Sequence, residues 1–245
     1  MLKKSIMIAL ILFMCVPSAF SQTNITVASD ATWPPMEYVN KDKTITGFAP
    51  ELLAAMEKVS DIKFDIRNTA WDGIFAGLAA GKYDMIASSV SITDVRKKVM
   101  TFSDPYFEVK QGVIAKKGAN IKSKADLAGK KAGAQIGTTG FLVTRKIKGV
   151  TMKSYDEIGL AVEDLYNGRI DVVVCDDAVA ADYALTNEQY SKDLSLAFLL
   201  KSDTPEYLGF AFKKGASQDK LKLVNDALKK VKESGEYDRI FNKWF

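Results

Sequence analysis

The chain has 245 residues, with 34 Lys and Arg against 30 Asp and Glu, 2 Cys and no His. Without an imidazole there is no Ser-His-Asp or Cys-His catalytic base, and most zinc sites lose their usual ligand. A mixed-sign formal charge of +4 gives no argument for nucleic acid, and 47% apolar with 26% charged residues describes a globular protein, not a disordered or fibrous one.

Lys3 and Lys4 lead into an apolar run at 5–16, too short for a membrane span of about 20 residues. Small residues follow at Ala19 and Ser21, so residues 1–21 are expected to be a secretory signal peptide. The alternative is a lipoprotein signal with Cys15 as the lipidated residue, against which bulky Met14 counts. Either way Cys175 has no partner for an internal disulfide.

A strand–helix alternation follows. Residues 25–29 are an expected strand, and a helix at 49–59 carries Leu52, Leu53, Met56 and Val59 at helical spacing with Pro50 in its first turn. A strand at 62–66, a short helix at 73–80 closed by Gly81 and a strand at 83–87 come next. Thr93 caps a helix over 94–98. Strands are then expected at 110–115, 131–135 and 171–175. Helices are expected at 123–128, from the loop at 137–140 to near Gly149, from Asp156 to Asn167, and from Asp176-Asp177 onward. Strands at 194–200 and 207–212 and helices at 217–233 and 237–245 close the chain. Such alternation predicts an α/β fold in two blocks, 25–110 and 113–200.

In open α/β sheets ligands bind beyond the carboxyl ends of strands, near helix amino termini. Asp30, the turn 88–91, the loop 137–139 and Asp176 all fall there, which suggests a cleft between two lobes. Ser89, Ser91 and Arg96 together suit a carboxylate, because a guanidinium offers two parallel donors; equally, they read as caps and solvated charges. Thr138 and Thr139 after Gly137 suit an anion or an ordinary capped connection, and the spacing is not that of a P-loop. Asp176, behind the apolar run 172–175, wants a cation such as a ligand ammonium, or else caps the next helix. Trp33 and Trp71 are either walls for a ligand stem or core. Asp30 meets a ligand tip or forms a local turn. Cys175 reads as a small packed hydrophobe.

Several segments match a known pattern in order and spacing: Ser29-Asp30-Ala31-Thr32-Trp33-Pro34-Pro35, Gly47-Phe48-Ala49-Pro50, Trp71-Asp72-Gly73-Ile74-Phe75, Ser91-Ile92-Thr93-Asp94-Val95-Arg96, Phe102-Ser103-Asp104-Pro105-Tyr106, Gln135-Ile136-Gly137-Thr138-Thr139 and Gly168-Arg169-Ile170-Asp171. Through them the mature chain resembles the bacterial extracellular solute-binding proteins of family 3, polar amino acid receptors of ABC importers. The resemblance implies a type II periplasmic-binding fold. One lobe is 22–109 with 207–245, the other 113–203, and crossing segments lie near 107–112 and 202–207. It implies that Arg96, with Ser91 and the Thr139 amide, takes a ligand α-carboxylate, and that Asp176 takes the α-ammonium. Ser89 adds a polar contact, Trp33 and Trp71 form an aromatic wall, and Asp30 meets the side chain. Ser89 stands where some relatives have Gly, and Ala49-Pro50-Glu51 departs from the usual acidic motif and is given no binding role.

The expected ligand is arginine or lysine, since Asp30 is acidic and no Lys replaces Gln135; glutamine is the alternative, because Asp30 can also accept from an amide. No catalytic residue, cofactor or metal is expected. The expected partners are the free amino acid and a membrane permease, for a periplasmic monomer. The same fold also hosts a cyclohexadienyl dehydratase, and a sensor role is a further alternative.

Overall fold

The computed structural model describes residues 22–215 and 218–245. The leader expected at 1–21, with Cys15, lies outside them. The first block runs through β1 (Thr23–Ser29), β2 (Thr32–Trp33), β3 (Glu37–Val39), β4 (Ile45–Thr46), α1 (Phe48–Lys58), β5 (Ile62–Asn68), α2 (Ile74–Ala79), β6 (Met85–Ile86), α3 (Asp94–Val99) and β7 (Met100–Phe102). Beyond β8 (Phe107–Val109), the second block has β9 (Gln111–Lys116), a 3-10 turn at Lys124–Leu127, β10 (Lys131–Gln135), α4 (Thr139–Thr144), β11 (Thr151–Tyr155), α5 (Ile158–Tyr166), β12 (Val172–Asp176), α6 (Asp177–Ala181) and β13 (Leu194–Leu200). The chain ends with β14 (Glu206–Leu208), β15 (Ala211–Lys213), α7 (Gln218–Glu233) and α8 (Glu236–Trp244).

Each block builds one five-stranded sheet flanked by helices, giving two α/β lobes. The strand orders are β5-β1-β6-β15-β7 and β11-β10-β12-β9-β13. β1 runs parallel to β5 and β6, and β10 runs parallel to β11 and β12. β15 inserts antiparallel between β6 and β7, so the end of the chain completes the first sheet. The lobes are joined by the antiparallel pair β8 and β14, with Val109 opposite Glu206 and Phe107 opposite Leu208. This pair holds the two crossing segments together.

Apolar periodicity accounts for the core. Leu52, Leu53 and Met56 of α1 are buried on the first sheet beside Ile25, Val27 and Ile62, and Val224, Leu228 and Val231 of α7 close the same core. Each such side chain contributes about 1.5–3 kcal/mol on burial. In the second lobe, Ile158, Ala161, Val162 and Leu165 place α5 against the sheet. Cys175 is fully buried and unpaired, in keeping with a packed hydrophobe.

Four expectations need correction. The single strand at 207–212 is two strands, β14 and β15, because the chain leaves the lobe-linking pair to enter the first sheet; a Cβ on Gly209 at that step would come within 2.8 Å of Ile92. The helix from Thr139 ends at Thr144 and not near Gly149, since the amides of Ile147 and Val150 bond carbonyls three residues back and tighten the chain into turns. The helix at 158 has Glu157, not Asp156, at its cap position, and the Asp156 carbonyl accepts instead from Gln135. Residues 151–155 form an edge strand that periodicity missed, because an edge strand with mostly exposed side chains carries little apolar alternation.

Candidate functional site

The site assembles where parallel strands end. In the first lobe, β1 delivers Asp30, whose amide donates to Ser88 Oγ at 2.9 Å. Its carboxylate accepts from Thr32 Oγ1 and from Gln135 Nε2 of the other lobe, each at 2.8 Å. Burial pushes the Asp30 carboxyl above its ordinary value, and these two donors partly hold it down. The turn after β6 carries Ser89, at φ 46°, and Ser91. Thr93 caps α3 by accepting from the Arg96 amide at 3.2 Å, which fixes Arg96 in the first helical turn.

Arg96 donates through Nη1 to the Ser91 carbonyl at 3.1 Å and through Nη2 to the Gly137 carbonyl of the second lobe at 3.2 Å. Its guanidinium lies 5.6 Å from the Trp71 ring centre and 5.2 Å from that of Phe75. Burial lowers the Arg96 pKa, opposed by the charges of Glu206 and Asp176; a guanidinium stays charged through such a shift.

The second lobe supplies Thr139 at the start of α4, where first-turn amides have no partner within the helix. Thr138 caps that helix by accepting from the Phe141 amide at 3.2 Å. Asp176 ends β12. It stands at the cap position of α6 but makes no side-chain cap bond, and Asp177 accepts from the Ala178 amide instead. The Asp176 carboxylate accepts from Trp33 Nε1 at 3.2 Å and from Gln111 Nε2 at 2.9 Å. Burial, and secondarily the charge of Glu206, pushes its pKa up to about 7, while the Gln111 and Trp33 bonds pull the other way.

Asp30, Trp33, Trp71, Ser89, Ser91, Arg96, Thr139 and Asp176 all line one narrow cavity between the lobes, with about 320 Å³ of empty space that includes open solvent. Further bonds cross the cleft at its rim: Trp71 Nε1 donates to the Ile136 carbonyl at 2.9 Å, and the Ser91 and Thr139 hydroxyls meet at 3.3 Å. The lobes are therefore closed on the cavity. Among the described residues no group of three His, Cys, Asp or Glu side chains could hold a metal ion.

Three residues beside the site escaped the sequence reading. Glu37 is fully buried, and among the described residues neither of its oxygens has a hydrogen-bond partner of normal geometry, nor do the hydroxyls of neighbouring Ser89 and Tyr106. Burial drives its carboxyl well up, toward the neutral acid. Gln111 and Glu206 come from the crossing segments and meet the site through one amide. Their only sequence signal was position within those segments, which says nothing of where a side chain points.

The family model that matches residues 25–245 is that of the bacterial extracellular solute-binding proteins, family 3. A probable histidine-binding protein of Neisseria gonorrhoeae is 38% identical over 223 residues, 89% of this chain and 82% of the relative. The L-cystine-binding protein TcyJ of Escherichia coli K12 is 32% identical over 232 residues, 90% of this chain and 82% of the relative. Among solved structures, an ancestral arginine-binding protein bound to arginine superposes with a TM-score of 0.85 at 36% identity, covering 92% of this chain and 99% of that one. These similar proteins are binding proteins for different amino acids.

Proposed function

The chain belongs to the bacterial extracellular solute-binding proteins of family 3, and from that premise we propose that it binds one free, positively charged L-amino acid between its lobes and presents it to a membrane permease. The observation that carries the reading is the charge of the cavity. Two buried acids, Asp30 and Asp176, face a single cation, Arg96. A zwitterion would balance Arg96 with its carboxylate and Asp176 with its ammonium. Asp30 would remain, and an uncompensated buried carboxylate costs several kcal/mol. A guanidinium or second ammonium at the ligand's far end balances it.

In this account Arg96, the Ser91 hydroxyl and the Thr139 amide take the α-carboxylate, and Asp176 takes the α-ammonium. Trp33 and Trp71 cover the ligand stem, Ser89 adds a polar contact, and Asp30 meets the side-chain cation. Because these groups come from both lobes, the ligand binds the closed form better than the open one and shifts the hinge at β8 and β14 toward closure. Micromolar affinity needs only about 8 kcal/mol net, within reach of two charge-assisted clamps after ordering costs. The lobes are taken as 22–109 with 207–245 and as 113–203, in a periplasmic monomer whose leader is 1–21.

A neutral polar ligand such as glutamine is the second reading. It is favoured by the two donors, from Thr32 and Gln135, that already serve Asp30. Calorimetry with arginine, lysine, histidine, glutamine and cystine separates the two. Tight arginine or lysine binding is expected, and tight glutamine binding with no heat from either cation would reject the cationic reading. An enzyme of the dehydratase type would instead remove prephenate or arogenate in an absorbance assay, for which no change is expected.

A further inference from the structure

Asp176 does not stand alone. Gln111 Nε2 bonds three acceptors from three segments: Asp176 Oδ1 at 2.9 Å, Glu206 Oε2 at 3.1 Å and Thr139 Oγ1 at 3.2 Å. A carboxamide nitrogen has two N–H donors, so three acceptors compete for two hydrogens. The other oxygen of Glu206 is shut off from solvent and has no partner among the described residues, as is also true of Gln111 Oε1. Two carboxylates thus share one amide in a site short of donors. Glu206 belongs to β14, opposite Val109 of β8, so its backbone is part of the hinge pair. It does not line the cavity; its reach to the ligand is through Gln111 and Asp176.

We propose that Glu206 is a positioning residue for the ammonium clamp: held against Gln111, it competes with Asp176 for the two hydrogens of that amide and sets a second negative charge beside it until a ligand ammonium arrives. The inference rests on the reading of Asp176 as the ammonium partner. Three consequences follow from the placement. An ammonium brings three donors and a positive charge to a place where two carboxylates share one amide. The field of two acids beside Arg96 favours cationic over neutral amino acids. Because Glu206 sits on the hinge pair, the lobe movement that brings Asp176 to the ligand also sets its distance from Glu206.

Near neutral pH, Asp176 is partly protonated, because burial and Glu206 raise its pKa to about 7. The charged or titratable groups that face it are Arg96 and Glu37 from the first lobe, Tyr106 before β8, Glu206 from β14, and Cys175 and Asp177 on its own segment. Arg96 stabilises the carboxylate, and an ionised Glu206, Asp177 or Glu37 opposes it. After burial itself, the charge of Glu206 is the strongest influence on Asp176. Ligand binding should therefore expel the Asp176 proton, giving an affinity that rises with pH up to about 7 and then levels off.

The test has one arm without ligand. The Asp176 carboxyl carbon is titrated by NMR in the intact protein and in Glu206→Gln. The titration is expected to move to lower pH in Glu206→Gln and to return in Glu206→Asp. The second arm is calorimetry with L-arginine from pH 5.5 to 8. Glu206→Gln is expected to bind about 3–10-fold more weakly at pH 8, to have its acid limb displaced to lower pH, and to release fewer protons at pH 7. A merely structural loss lowers affinity at every pH without moving that limb. An unchanged Asp176 titration overturns the inference, as does an acid limb that stays in place. If the intact protein takes up no amino acid, the functional reading fails, and the first arm still decides whether Glu206 governs Asp176.

Discussion

Replacing Asp176 by Asn should make the protein more stable and a far poorer receptor. The ordinary value of 3.8 rises to about 7 in the fold, a difference worth about 4 kcal/mol. Since the folded carboxyl holds its proton more tightly than the unfolded one, its stabilising contribution is complete below about pH 4. That contribution drains away as pH rises through about 7. The side-chain amide of Asp176→Asn would stand in for the protonated acid at every pH. Unfolding by urea should find the two proteins similar at pH 4 and the Asp176→Asn variant ahead by up to about 4 kcal/mol at pH 8. Asp30 is also raised by burial but slopes alike in both proteins, whereas the Asp176 charge contributes to the raised carboxyl of Glu37, so its removal adds to the gap at pH 8. Binding should move the other way, since removing one partner of a buried, bonded charge pair costs about 3–5 kcal/mol, hundreds- to thousands-fold in affinity. Parallel stability curves from pH 4 to 8, or undiminished ligand affinity, would refute the reasoning.

Three more outcomes are expected. Arg96→Lys keeps the charge but loses the planar fork that holds Ser91 and Gly137 carbonyls at once, so arginine affinity in calorimetry should fall about 10–100-fold. Trp71→Phe keeps the ring but removes the donor to the Ile136 carbonyl across the cleft; losing about 1 kcal/mol of closure should weaken binding about 5-fold and expand the liganded protein in small-angle scattering. Gly140→Ala places a Cβ 2.6 Å from Gln111 Oε1 and 3.1 Å from the Val174 carbonyl, and thermal denaturation should show a loss of about 1–3 kcal/mol.

How far the sequence spoke depended on what kind of signal each feature leaves. Long elements announced themselves: α1 carried its apolar stripe, and β12 its unbroken apolar run ahead of Asp176. All eight candidate residues line one cavity because strand ends and helix starts are places that chain order alone can locate. Pieces of two or three residues, such as β2, β4 and β7, are shorter than any period and left nothing to read. The alternatives left open for Asp176 turned on geometry: only the fold shows that Asp177 accepts from the Ala178 amide in the first turn of α6 while Asp176 turns to Trp33 and Gln111. Glu206 and Gln111 were invisible for a related reason, since they meet across 95 positions of chain.

The insertion of β15 between β6 and β7 bears on how the molecule comes into being. Residues 111–200 carry a complete sheet in one uninterrupted stretch, so that lobe has all its strands soon after it leaves the ribosome. β7, by contrast, has among the described residues only β15 as its neighbour in the first sheet. It must wait for more than a hundred residues of intervening chain before it can pair. A chain halted before residue 211 would hold one finished half beside another with a missing interior strand. The first sheet is thus closed only once the segment beyond residue 210 is in place, whereas the second needs nothing outside 111–200.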